Sequence, residues 1–402
     1  MAERTVLVRP LWRLRSGARH LMEHPPQGYR FVVGGNGAHG RGLDMLARYP
    51  WSYRIQWLAN SYLPLNMAKA YLNGVRAPGK GVDLVYTVMG LWFGRESWVL
   101  DMEAEQPHLL LGHERPFRWF RPLLLRSLRD QRCRRIICWV DSIKYAFLAW
   151  LDGDEVVAQK LKVIYWAVPR KEFVKRHDGG RVVLLFVDSA HINSPLNFHI
   201  KGGKEVLEAF VRLRRRYPEL ELVVRSAVPP AVAARYRGVP GLRIIDHVLP
   251  WPELEQEWQR ADIFVHADHA TPGTVYIDAM SYELPIVTTD VLGNRFLIDH
   301  GRTGMLVPKR QIERYVQGYR LHFTSPHYRR TLLTLDEEVV QGLVDSLSLL
   351  VENPELRRAM GRAARHEAEE GRFSLGRRNA DLKQVLDEAI AAGREPVLAT
   401  RR

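Results

Sequence analysis

ADIFVHADHATPGTVYIDAMSYELPIVTTDVLGNRFLIDHGRTGMLVP, residues 261–308, alternates apolar runs with polar loops in a regular way. Ile263–Val265 is a short apolar run and predicts a strand that ends in a polar loop. Gly273 opens a segment whose Val275, Ala279 and Met280 share one helical face, and Pro285 closes it. Ile286 to Thr288 is β-branched and predicts a buried strand; a loop and a short strand follow before Pro308. The order is strand, loop, helix, strand, loop, short strand. A helix start with a bare glycine at its mouth presents free N–H groups and a favourable dipole to a phosphate. Asp278, about one turn further in, is placed to accept hydrogen bonds from sugar hydroxyls.

Gly273, Asp278-Ala279-Met280, Pro285, Thr289-Asp290, Gly301, Thr303-Gly304 and Leu306-Val307-Pro308 stand in a recurrent order. That order resembles the nucleotide-sugar site of the retaining glycosyltransferases of family 4, which have the GT-B fold. The resemblance implies an α/β protein with two Rossmann-like parallel-sheet domains facing a cleft and a C-terminal helix crossing back to the first domain. It covers about 178–390 well and 1–177 more loosely. The departures fall on acids. The first glutamate of the family's E-x7-E pair falls on Ala270, the second is shortened to Asp278, and a later loop glutamate falls on Phe296. Glu283 stands where the family has glycine.

Composition is compatible with that architecture. The chain has 402 residues, 46% of them hydrophobic, which suits two domains of ordinary size. It lacks an apolar run long enough to span a bilayer, and MAERTVLVRPLW lacks the apolar core of a signal peptide. Cys133 and Cys138 make neither a disulfide framework nor a metal site. The expected location is cytoplasmic. Charge is uneven: residues 1–177 carry 28 Lys and Arg against 15 Asp and Glu, and residues 178–402 carry 31 against 30. A basic first half suits a polyanionic partner or a solvated face.

Outward from the opening stretch, Val182–Val187 (VVLLFV) predicts a buried parallel strand, and Leu220–Arg225 and Leu242–Ile245 predict two more. Lys201-Gly202-Gly203-Lys204 opens an amphipathic helix. In the family, a Lys-Gly here neutralises the diphosphate together with an upstream arginine. Lys201 matches that lysine. The arginine is missing, with Asp188 or Ser189 in its place, so Lys204 is expected to assist. A cation is needed because negative charge develops on the leaving diphosphate as the glycosidic bond breaks. Donor-binding candidates are therefore Gly273, Thr274, Val275, Asp278, Lys204 and His269, with Ser226, Ala227 and Leu249 as neighbours of the base. His269 or Asp268 is a candidate to replace the missing glutamate; a satisfied loop histidine is the equal alternative.

In the first half, Thr5–Val8, Tyr29–Val33, Val82–Val88, Trp98–Leu100, Ile136–Val140 and Lys162–Ala167 predict strands. Asp101 and Glu103, at the end of one of them, are candidates for orienting the acceptor, with solvated loop acids as the alternative. Together with Lys201 they form the expected catalytic set. Gly35, Gly37 and Gly40 satisfy G-x-G-x-x-G, but no acidic residue follows at the distance a dinucleotide ribose requires. From Arg115 to Arg135 eight arginines accompany Trp119, Phe117, Phe120 and Leu123–Leu125, with Asp130 the single acid. That pattern suits an anionic membrane surface, while an ordinary surface helix and nucleic-acid contact are the alternatives. Residues 171–181 read as an interdomain linker, dividing a first domain, 1–177 with about 379–395 returning, from a second, 178–378.

The resemblance implies a retaining glycosyltransferase moving a sugar from a UDP- or GDP-linked donor to a lipid-linked or saccharide acceptor. Envelope polysaccharide or glycolipid synthesis at the inner membrane face is the implied setting. Neither a metal nor a cofactor is expected. The rivals are a GT-B nucleotide-sugar binder without turnover and a basic membrane- or nucleic-acid-associated scaffold.

Overall fold

A computed structural model describes residues 3–11, 16–34, 59, 62–75, 81–176, 180–188, 195–314, 316–322 and 325–394. The G-x-G-x-x-G stretch, Ser189 and the C-terminal LATRR lie outside them. The chain divides into two compact units. One comprises Met1–Trp166, Gly318–Leu321 and Gly376–Arg402; the other comprises Ala167–Gln317 and His322–Leu375.

The first unit is built on six strands: β1 (Arg4–Pro10), β2 (Tyr29–Val33), β3 (Leu84–Val88), β4 (Trp98–Met102), β5 (Cys133–Cys138) and β6 (Leu161–Val163). Their order is β2-β1-β3-β4-β5-β6, and every pairing is parallel. β3 (LVYTV) and β4 (WVLDM) are buried at every position, as expected for strands covered on both faces. The arginine-rich stretch does not form one element. Its first part is the helix Glu114–Arg129, which buries Phe117, Leu124 and Leu128. The remainder turns into β5, where Arg135 pairs with Glu388 at 2.7 Å. Cys133 and Cys138 are free and buried, and burial pushes the Cys133 thiol up to about 12.

The second unit also carries six strands: β7 (Val182–Val187), β8 (Leu220–Arg225), β9 (Leu242–Ile245), β10 (Ile263–Val265), β11 (Ile286–Thr289) and β12 (Gly304–Val307). The order is β12-β11-β10-β7-β8-β9, again all parallel. β7 pairs on one side with β8 and on the other with β10, so the strand order reverses at the β7/β10 junction. In open parallel sheets, ligands bind outside the carboxyl ends of the strands at such a reversal. Leu184, Phe186, Phe210, Leu222, Val265 and Leu343 form part of the core beneath it.

Residues 167–176 pack on this second unit rather than lying free as a linker. Arg365 donates to the carbonyls of Phe173 (3.3 Å) and Lys171 (3.1 Å), and Lys175 donates to that of Gln259 (3.2 Å). The segment after Pro308 contains a 3-10 turn at Arg310–Arg314, a two-stranded ribbon (Val316–Gln317 with Arg320–Leu321) and the helix Pro326–Leu333. Among the described residues no helix is long and apolar enough to cross a membrane.

Candidate functional site

At the β7/β10 reversal two loops join edge to edge. The Ala267 N–H donates to the Lys201 carbonyl at 3.0 Å, and the His269 N–H donates to the Ile200 carbonyl at 2.8 Å. Gly202 permits this approach. Its φ is +68°, and a Cβ there would lie 2.1 Å from the Ala267 carbonyl oxygen. The result sets the Lys201 ammonium 3.2 Å from Asp268 Oδ1, with the lysine side chain 14% exposed and the aspartate fully enclosed.

Asp268 is the hub. Its Oδ2 lies 3.3 Å from His266 Nδ1 and accepts a hydrogen bond from the Tyr276 hydroxyl. Burial works to raise its carboxyl, and Lys201 and His266 outweigh burial, holding it below the usual range. Asp268 is therefore an ionised anchor beside Lys201, its Oδ2 hydrogen-bonded and its Oδ1 facing the ammonium as an ion pair. The signal for this was present: two residues apart in extended chain, His266 and Asp268 share a face. His269 points to a different set. Its ring is fully buried and neither nitrogen has a hydrogen-bond partner. Burial, with Lys309, Lys204 and His199 nearby, keeps it neutral far below its ordinary value. The alternative of a satisfied loop histidine is therefore corrected: among the described residues neither ring nitrogen is hydrogen-bonded.

Lys204 does not stand free beside Lys201. Its ammonium lies 2.7 Å from Glu205 Oε1 and 3.5 Å from the Thr331 carbonyl, so a carboxylate already neutralises it. Gly273 is exposed, with open space where a Cβ would be. Thr274 is the N-cap of the helix Val275–Ser281, two turns long, and is itself buried. Asp278 sits in that helix, half-buried. Burial pushes its carboxyl up to about 6 against the pull of Lys171 and of a hydrogen bond from Thr274. Lys171 lies 4.9 Å above the Trp251 ring and 5.4 Å above that of Tyr282, a cation the sequence reading passed over. Ala270 is buried and brings no carboxylate to the position of the first motif glutamate.

Asp101 and Glu103 belong to the first unit, where the acceptor-orienting reading meets a correction. β4 continues to Met102, so Asp101 lies inside a strand and is fully buried. The Tyr86 hydroxyl donates to its Oδ2 at 2.7 Å, and the Trp139 indole N–H donates to its Oδ1. Burial and the neighbouring Glu103 raise the Asp101 carboxyl well above the ordinary range. Asp101 is thus a core polar anchor rather than a loop acid facing solvent. Glu103 follows the strand, half-buried, its N–H 3.2 Å from Met89 Sδ.

Residues 190–320 match the family model described as Glycosyl transferases group 1. HepE from Anabaena, solved with UDP-glucose, superposes with a TM-score of 0.57 at 14% identity, over 96% of this chain and 99% of that one. The fold is GT-B. A glycosyltransferase from Rickettsia africae aligns over the same shares at 13% identity and a TM-score of 0.61. WaaG, a glycosyltransferase involved in lipopolysaccharide biosynthesis, aligns over 94% of this chain and 99% of its own at 14% identity and a TM-score of 0.54. No curated protein sequence matches. All but the last three of the matched residues fall in the second unit, which holds Lys201, Asp268 and Asp278.

Proposed function

We propose that this GT-B chain is a retaining glycosyltransferase of family 4 type, moving a sugar from a UDP-sugar to a lipid-linked or saccharide acceptor. The observation that carries the reading is the Lys201–Asp268 pair at the strand-order reversal, inside the segment that matches the family model. An ammonium held at a fixed place by a buried carboxylate is preorganised to receive charge as it appears on the leaving diphosphate. The Gly273–Val275 backbone offers further N–H donors, and Asp278 takes the ribose hydroxyls. In this reading a protein cation, not a metal, holds the diphosphate. UDP is favoured over GDP because HepE was solved with UDP and with UDP-glucose. Envelope polysaccharide or glycolipid synthesis is the proposed setting, in line with WaaG.

The acceptor side is proposed to work at an anionic membrane surface, on the cytoplasmic side. The helix Glu114–Arg129 supports this through its outward face. Trp119 is 65% and Leu123 44% exposed, and Arg115, Arg118 and Arg126 flank them. Arg118 and Arg126 have no ion-pair partner among the described residues, whereas Arg129 pairs with Asp154 and Arg121 with Asp152.

Calorimetry with UDP, GDP and their sugars on wild type and Lys201→Ala tests the donor site. Binding of UDP by the wild type, weakened roughly 10- to 100-fold in the variant, is the expected result. No nucleotide binding would overturn it. A second reading, a binder without turnover, is favoured by Ala270 at the place of the first motif glutamate. Hydrolysis or transfer assays with UDP-sugars separate the two, since the binder shows wild-type affinity and no released UDP.

A further inference from the structure

Arg225 ends β8, in register with Val187 at the end of β7, one strand away from the β7/β10 reversal. It is 4% exposed. Its Nη1 donates to the Asp188 carbonyl at 2.6 Å, and its own carbonyl accepts the Asp188 N–H at 3.0 Å. Its Nε is buried without a partner, and among the described residues no carboxylate oxygen lies within 4 Å of the guanidinium. The Asp188 carboxylate accepts instead from the Ser226 hydroxyl at 3.2 Å. A buried cation without a paired anion is costly, and native interiors rarely keep one unless an anion arrives from outside. Burial lowers the guanidinium's pKa while Asp188 raises it only from a distance.

The contrast with the neighbouring lysines is informative. Lys201 is neutralised by Asp268 and Lys204 by Glu205, so the positive charges at this end of the sheet are already balanced. Among the described residues Arg225 is a buried cation with no carboxylate paired to it, unlike Lys201, Lys204 and Lys309. The three strand ends β10, β7 and β8 are consecutive in the sheet, so Arg225 and the Lys201–Asp268 pair are separated by about two strand spacings, ~10 Å. A phosphate–ribose ligand lying extended across the carboxyl ends would be long enough to reach over that span.

Resting on the donor reading above, we infer that Arg225 is a second phosphate-binding cation, supplied by β8. It stands in for the arginine that the sequence lacks upstream of Lys201, and it meets the donor's phosphates from the β8 side. The guanidinium keeps its bond to the Asp188 carbonyl as a fixed mount and offers its remaining N–H groups to the anion.

The test compares wild type, Arg225→Met and Arg225→Lys in the full chain. It measures the ligand-free melting temperature, UDP affinity by calorimetry, and uridine binding by saturation-transfer NMR. Arg225→Met is expected to melt at or above the wild-type temperature, because it removes an unpaired buried charge. It should lose UDP affinity by roughly 10- to 100-fold and leave uridine binding unchanged. Arg225→Lys should recover part of the UDP affinity. A lower melting temperature with full UDP affinity makes Arg225 a structural mount for Asp188 and overturns the inference alone. Equal losses for UDP and uridine also overturn it, assigning Arg225 to the base or ribose. If the wild type binds no nucleoside diphosphate, the donor reading falls and takes this inference with it.

Discussion

Asp278, proposed to hold the donor's ribose, would couple that binding to its own protonation. Burial raises its carboxyl from 3.8 to about 6, so the folded chain favours the protonated form. Its contribution to stability is therefore fully present below pH 3.8 and is lost as the pH rises through about 6. At about 1.4 kcal/mol per pH unit, the loss amounts to at most about 3 kcal/mol. Asp278→Asn should accordingly be more stable than wild type at pH 7.5, with a flatter stability profile between pH ~4 and ~6, read by urea unfolding across that range. Ribose hydroxyls that donate to the carboxylate favour its ionised form. UDP affinity should then rise from pH ~5 to ~7 in the wild type and stay level in Asp278→Asn. A level wild-type profile would remove Asp278 from the donor contacts. Residue types alone could name Lys201 and Asp278, because a lysine before a helix and an acid one turn into another are legible in order. They could not show that Asp268 holds Lys201 or that Glu205 neutralises Lys204. The first pairing depends on which loops the sheet brings together far apart in the chain; the second joins chain neighbours and depends on how the buried start of their helix orients the two side chains.

Elements were more legible than their edges. VVLLFV, LELVVR and LRII are strands over the residues their β-branched and apolar runs predict; the first two sit inside a doubly covered parallel sheet, which tolerates few polar interruptions, and LRII is its partly exposed edge. β4 misled for the same reason: its aspartate looks like the start of a loop, yet Tyr86 and Trp139 let the strand run past it. Glu283, where the resemblance leads one to expect glycine, takes φ +61° and lies 3.3 Å from Arg365, so a glutamate occupies a glycine-like turn. The loop at Gly202 has no such tolerance. Gly202→Val places a Cβ against the Ala267 carbonyl at a positive φ, and should cost about 1–3 kcal/mol in denaturant unfolding. It should also weaken UDP binding by shifting Lys201 away from Asp268; unchanged affinity would show that the loop's exact course is unimportant. For the helix Glu114–Arg129, the double variant Trp119→Ala/Leu123→Ala should bind phosphatidylglycerol vesicles more weakly without loss of melting temperature, because both side chains already face solvent. Charge reversal at Arg118 and Arg126 should weaken vesicle binding further and reduce its dependence on salt. Equal vesicle binding by all of these would return the helix to an ordinary surface role.

On the scale of the whole chain, the two proposed functions are divided between the two units. The basic excess lies in residues 1–177, with 28 Lys and Arg against 15 Asp and Glu, while the remainder is nearly balanced. The second unit, despite its near-neutral total, gathers three of its many cations, Lys201, Lys204 and Arg225, near the strand ends. A net charge spread over a surface suits a membrane or another extended polyanion, whereas a few buried cations suit one small anion. Hydrogen exchange read by mass spectrometry can address both ligands in the same protein. UDP at saturating concentration should slow exchange in peptides covering 199–204, 224–228 and 266–280, where the phosphate and ribose contacts are proposed. It should leave 114–129 unchanged. Phosphatidylglycerol vesicles should do the reverse, protecting 114–129 and leaving the strand ends of the second unit as they were. The magnitude has a bound: at a ligand concentration of about 100 Kd, linkage adds about 2.7 kcal/mol to the stability of the state that binds. Local openings at the donor site should therefore slow by up to about 100-fold. Protection by UDP confined to 114–129 would place the nucleotide in the wrong unit and refute the donor site as drawn. Loss of the vesicle effect on adding salt, with the UDP effect intact, would show that the two anion-binding regions differ in kind: one a screened surface field, the other a set of short contacts inside the protein.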